Sequence, residues 1–170
     1  MKTAKFNGNN VAKLEFDYFI RYRPRHNVYI LGMEKQVKKL FEDIRYNHIC
    51  YTWENDISDN LKHSHCLVKT PYGEDLLIEN LKKNIVSSKN IISGSRNTTY
   101  TSKLNLLNPN TGQRISKLVE HNALIDYKEI IGKHGSVFLE QVKDKISASI
   151  YTMKFTDYGA NFGYIKGDLI

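Results

Sequence analysis

The sequence predicts an α+β domain, an antiparallel β-sheet with helices packed against it. Three observations lead there. Apolar side chains alternate with period two in short segments, first at Phe16, Tyr18, Ile20 and Tyr22. Elsewhere they recur at helical spacing, as at Val37, Leu40, Phe41 and Ile44. The order along the chain is strand, helix, hairpin, helix, strands, helix, which describes an antiparallel sheet with helices packed against one face.

Taken in order, residues 14–22, LEFDYFIRY, read as a strand on the first alternation. Residues 34–46, EKQVKKLFEDIRY, read as an amphipathic helix with Lys and Glu on its outer side. HICYTWE at 48–54 and LKHSHCLVK at 61–69 are strands joined by the polar turn NDISDN, and Pro71 and Gly73 end this hairpin. EDLLIENLKK at 74–83 is a second helix, acidic at its start and basic at its end as the helix dipole favours. Next, NPNTG is a turn signal between NTTYTSKLNLL and QRISKLV. The segment at about 84–118 is therefore either a second hairpin or a loop insertion. Residues 123–131 read as helical, and SVFLEQV after Gly135 as a strand. DKISASIYTMKF at 144–155 reads as a final helix, with Asp144 as N-cap and Ile146, Ile150 and Met153 in its apolar stripe. A glycine-containing tail, DYGANFGYIKG, follows. No linker or internal repeat divides the chain, so residues 1–170 read as a single domain.

The chain has 170 residues, of which 41% are hydrophobic, enough for one domain with a proper core. Lys and Arg number 25 against 18 Asp and Glu, a net charge of +7. A surplus of that size favours a polyanionic partner, nucleic acid above all. No apolar run approaches the ~20 residues of a membrane span. The start, MKTAKFNGNN, has no apolar core of a signal peptide, so the expected location is the cytoplasm of a host cell, or the nucleus of a eukaryotic one. Only Cys50 and Cys66 occur, which excludes a disulfide framework or a CxxC zinc knuckle and suits two buried thiols. There is no phosphate-binding G-x-x-x-x-G-K-[ST] loop, so no ATP-driven motor is expected in this chain.

Chemistry concentrates at two places. His63 and His65 are two apart on a strand, so both imidazoles point to one face. A bare HxH also occurs as a pair of exposed sheet histidines, but here Glu54 lies on the partner strand, nine residues upstream across the turn. Two imidazoles and a carboxylate leave coordination positions open, as a catalytic Mg²⁺ or Mn²⁺ requires. Asp56 and Asp59 are substitutes for Glu54, further into the turn. The second place is Tyr151 and Lys154, which share one face of the final helix. A phenol ionises near pH ~10, so a neighbouring cation or metal helps it act as a nucleophile at neutral pH.

Together these pieces resemble the HUH endonuclease superfamily, specifically the single-tyrosine rolling-circle replication initiators (Rep proteins) of small viruses, phages and plasmids. The resemblance spans about residues 14–165. FDYFIRY is similar to the first motif of that family, His63-Ser64-His65 to its His-hydrophobic-His motif, and Tyr151 to Lys154 to its Y-x-x-K. Two features depart from the pattern: Ser64 is small where a bulky apolar residue is usual, and the sequence reaches Ile170 without the helicase domain that follows in many relatives, so it is either a nuclease-only initiator or a piece of a longer protein. The resemblance implies a ferredoxin-like (RRM-like) nuclease fold that nicks and joins single-stranded DNA at an origin hairpin or loop. His63, His65 and Glu54 would hold Mn²⁺ or Mg²⁺. Tyr151 would attack the scissile phosphate and remain on the DNA 5′ end, with Lys154 orienting or ionising it. Such an enzyme combines endonuclease and nucleotidyltransferase steps, and host helicase and polymerase are the further partners implied.

Arg21, Tyr22, Arg23, Arg25 and His26 mix cations with an aromatic ring, the composition that suits single strands, and are the first DNA-binding candidates. Lys82, Lys83, Lys89, Arg96 and Lys103 are a second possible track. Trp53 points away from Glu54 and is expected in the core. Tyr164 is a rival nucleophile, but it follows Gly163 and lacks a lysine three residues on. Two alternative readings are a non-catalytic single-stranded nucleic-acid-binding domain and an IS200-like transposase.

Overall fold

The computed structural model describes residues 14–25, 32–55, 62–142 and 161–168. They form β1 (Tyr18–Pro24), α1 (Met33–Leu40), β2 (His48–Asn55), β3 (Lys62–Lys69), α2 (Glu74–Asn84), β4 (Ile92–Leu107), β5 (Arg114–Gly132), β6 (Gly135–Gln141) and β7 (Asn161–Lys166). The seven strands make one sheet in the order β4-β5-β6-β1-β3-β2-β7, every pairing antiparallel. Within it, β6-β1-β3-β2 with α1 and α2 as the connections reproduces the split β-α-β order of ferredoxin-like domains. The β4–β5 hairpin stands between α2 and β6, and β7 is added beside β2. The fold is thus α+β, an antiparallel sheet carrying two helices. No helix among the described residues is long and apolar enough to cross a membrane.

Both helices pack on one sheet face. Val37 and Leu40 of α1, and Leu77 and Leu81 of α2, are buried against Ile20, Ile49, Val68, Val137 and Leu139. Trp53 and Tyr22 join this core, as period two dictates for residues one step from Glu54 and Arg21. The opposite face holds a smaller buried cluster of Phe16, Phe19, Cys50 and Leu67. Cys50 and Cys66 therefore belong to opposite faces, and burial pushes each thiol up to about 12.

Four elements differ from the expectation. β1 begins at Tyr18 rather than residue 14, and Phe16 packs in the small cluster instead of beside Tyr18. The chain bends at Asp17, whose carboxylate accepts from Lys69 Nζ at 3.0 Å and Thr70 N at 2.9 Å. α1 stops at Leu40, not residue 46, because Asp43 sits at φ 62, a left-handed conformation that Asp tolerates. Asn84 Nδ2 donates to Leu40 O (2.7 Å) and Glu42 O (2.8 Å), supplying partners where the helical ladder ends. Residues 123–131 are strand, not helix, since pairing of Ala123–Glu129 with β4 and of Tyr127–Gly132 with β6 overrides the local spacing. The glycine-containing tail contributes strand β7, where a Cβ on Gly163 would collide with the Tyr51 ring. The final helix expected at 144–155 lies outside the described residues.

Candidate metal centre

The β2–β3 register sets the site. Glu54 pairs directly with His63, and Thr52 with His65. Since cross-strand partners share a face, Glu54, Thr52, His63 and His65 all lie on the face away from the helices. Glu54 Oε2 is 3.4 Å from His63 Nε2, and the two imidazole centroids are 4.8 Å apart. One donor atom from each of Glu54, His63 and His65 falls within 4.8 Å of the others. Each histidine is only 7% exposed, which removes the reading of two solvated sheet histidines.

The residues present fit a divalent cation. Two imidazoles and one carboxylate supply three donors from one side and leave the other positions to a substrate. The Thr52 hydroxyl, buried beside them, has no hydrogen-bond partner among the described residues, so the pocket holds unmet polar capacity. Phe19, tilted against His65 at 5.5 Å, and Leu67 wall the site with apolar groups, which strengthens electrostatic binding inside it.

Ser64 is fully buried on the helix side, its hydroxyl 3.4 Å from Cys66 Sγ. It lies in one row between Tyr22 on β1 and Trp53 on β2. These two large rings fill the space that a bulky residue at position 64 would take, so the small residue fits the packing.

β1 brings cations to the histidine face. Arg21 pairs with His65 across the strands, and Arg23 is one step beyond the last pair, Tyr22↔Ser64, on the same face. Tyr22 is a correction to the sequence reading: it is 5% exposed in the helix-side core, because it alternates with the arginines. Burial raises its phenol further above the ordinary value. Arg25 is exposed at the strand end, 3.5 Å from Lys133 O, while His26 lies outside the described residues, as do Tyr151, Lys154, Asp56 and Asp59. Tyr164 does have a link to the metal hairpin, contrary to its sequence context: β7 pairs with β2 and places it opposite Cys50 on the histidine face. Four residues along β2 separate that row from Glu54, roughly 13 Å.

Sequence reasoning missed the other half of this face. Arg21 sits 4.8 Å above the Phe138 ring of β6, and Tyr127 of β5 stacks on Phe138 at 4.7 Å. Arg96 of β4 donates to the buried Glu140 carboxylate through Nη2 (2.7 Å) and Nε (3.1 Å). Burial raises the Glu140 carboxyl above its ordinary value, and the hydrogen bond and charge of Arg96, then the charge of Arg21, offset only part of this. Strand parity within SVFLEQ, which sets Phe138 and Glu140 apart from Val137 and Leu139, was the available signal. Arg96, assigned to a lysine track, belongs here instead. No known protein family, curated protein or solved structure matches the chain.

Proposed function

We propose that this protein is a metal-dependent nuclease and strand transferase of the HUH replication-initiator type, acting on single-stranded DNA. The observation that carries the reading is the Glu54–His63–His65 group, drawn together on one sheet face with both histidines buried and Arg21 directly across from His65. Mn²⁺ or Mg²⁺ held by these three donors supplies Lewis-acid polarisation of a phosphate oxygen. Arg21 and Arg23 bind the phosphates that flank the reacting one, and the Phe138 and Tyr127 rings add aromatic surface for bases. The Tyr151 oxygen attacks phosphorus, a phosphorus–tyrosine bond forms, and the bond to the 3′ oxygen breaks. The phenol loses its proton, the departing 3′ oxygen gains one, and the reverse reaction rejoins the strand without ATP. Lys154 favours the phenolate.

The test is incubation of labelled single-stranded DNA with protein and Mn²⁺, followed by denaturing electrophoresis. A covalent adduct is expected, mapped to Tyr151 by mass spectrometry and absent in Tyr151→Phe. Binding without any adduct would leave a non-catalytic single-strand binder. An adduct on Tyr164 would move the nucleophile to β7.

A further inference from the structure

We infer that the β4–β5 hairpin is a double-stranded-DNA-binding arm that seats in the major groove. β5 pairs with β6 only from Tyr127 to Gly132. From Ser95↔Asp126 to Leu107↔Arg114, 13 successive pairs join β4 and β5 alone. At ~3.4 Å per residue this is a two-stranded ribbon roughly 40 Å long. Such a ribbon is marginal in water by itself. Three of its apolar side chains stand exposed: Leu107 is 65% exposed, Ile115 52% and Leu124 63%.

Charge and shape identify the occupant. From Ser95 to Asp126 the chain carries Arg96, Lys103, Arg114 and Lys117 against Glu120 and Asp126, and both acids follow Val119 toward the base, leaving the stretch from Asn97 to Val119 with cations alone. Arg114 and Lys117 are exposed near the tip, where Gly112 at φ 67 closes the turn. A second copy would set like charges together, whereas a polyanion is complementary. The major groove of B-form DNA, about 12 Å wide, admits a two-stranded ribbon, and the deep, narrow groove of A-form RNA does not. On one face of the ribbon the exposed Asn97 amide suits an adenine edge, and the exposed Leu107 and Leu124, which share that face by the strand register, suit thymine methyl groups. The inference stands on the ribbon itself and does not require the metal centre to be active.

Fluorescence anisotropy of the full chain, without metal, tests it against a labelled DNA duplex of about 20 base pairs and a single strand of equal length over a salt series. The expected result is duplex binding by the unaltered protein. In R114A/K117A, duplex affinity should fall at least tenfold, and the log–log salt slope should shrink by about 1.8 for two lost phosphate contacts. Single-strand affinity should be retained, and R114K/K117R should restore the duplex slope. Absence of duplex binding, an unchanged duplex slope in R114A/K117A, or an equal loss for both DNAs would overturn the inference. So would a dimer, seen by sedimentation, that the same substitutions dissolve, since the arm would then be a self-association surface. Because binding is read without metal, failure of the adduct assay leaves this result standing.

Discussion

The two faces of the central strands are built from alternate residues of the same segments, yet they are organised on different principles. On the helix face, Ile20, Cys66, Val68 and Ile49 meet Val37, Leu77 and Leu81 in a continuous apolar core. On the other face, one residue away at each step, Arg21, His65, Thr52 and Glu54 form a polar patch partly walled by Phe19 and Leu67. The difference teaches that stability and chemistry are separable here. A substitution in the apolar core should affect folding, and one among Glu54, His63 and His65 should affect cation binding.

The sharpest test is His63→Ala/His65→Ala. Calorimetric titration with Mn²⁺ should show binding abolished, with secondary structure retained by circular dichroism. Retained Mn²⁺ affinity in the folded double variant would break the distinction between the faces. On the opposite face, Leu81→Ala deletes a fully buried side chain and should cost about 2–5 kcal/mol in urea unfolding, while Mn²⁺ affinity per folded molecule stays unchanged.

The smallest effect concerns Glu140, a polar group buried on the histidine face. Its carboxyl is raised, so the folded chain holds the proton more firmly than the unfolded one. The stability this contributes is present below the ordinary carboxylate value and is lost as pH rises through the raised one. Glu140→Gln removes that dependence. The difference in urea midpoint, variant minus unaltered protein, should therefore grow in the variant's favour from about pH 4 to pH 7. A pH-independent difference would show that Glu140 ionises equally in both states.

How much of this was legible depends on the range of the interaction concerned. The β2–β3 hairpin was readable because period two and a short polar turn fix both the face and the register, and Glu54 lands on His63. The order of elements along the first half followed from the same local patterns, whereas the place of β1 beside β3 did not. The face assignment of Phe16 was not readable, because a bend held by Lys69 and Thr70, more than 50 residues away, redirects it. Nor was β5: ALIDYKEII carries apolar residues at spacings a helix also uses, and pairing with β4 on one side and the distant β6 on the other decides. Tyr22 looked like part of a basic cluster in sequence, although the alternation already recognised in that strand sends it to the core. Arg96 and Glu140, 44 residues apart, gave no sequence signal of their pairing.

One consequence of the strand order concerns the sequence of events as the chain folds. Glu54, His63 and His65 sit on a hairpin whose loop is short, so little chain entropy opposes their meeting. The arginine row is different. Its far side is closed by β1 against β6, where Tyr18 pairs with Gln141 across most of the chain. Contacts between such distant residues are slow to form. A chain that makes local contacts first brings Glu54, His63 and His65 together early and completes the arginine side last. The three candidate donors are thus in place before the rest of the sheet exists.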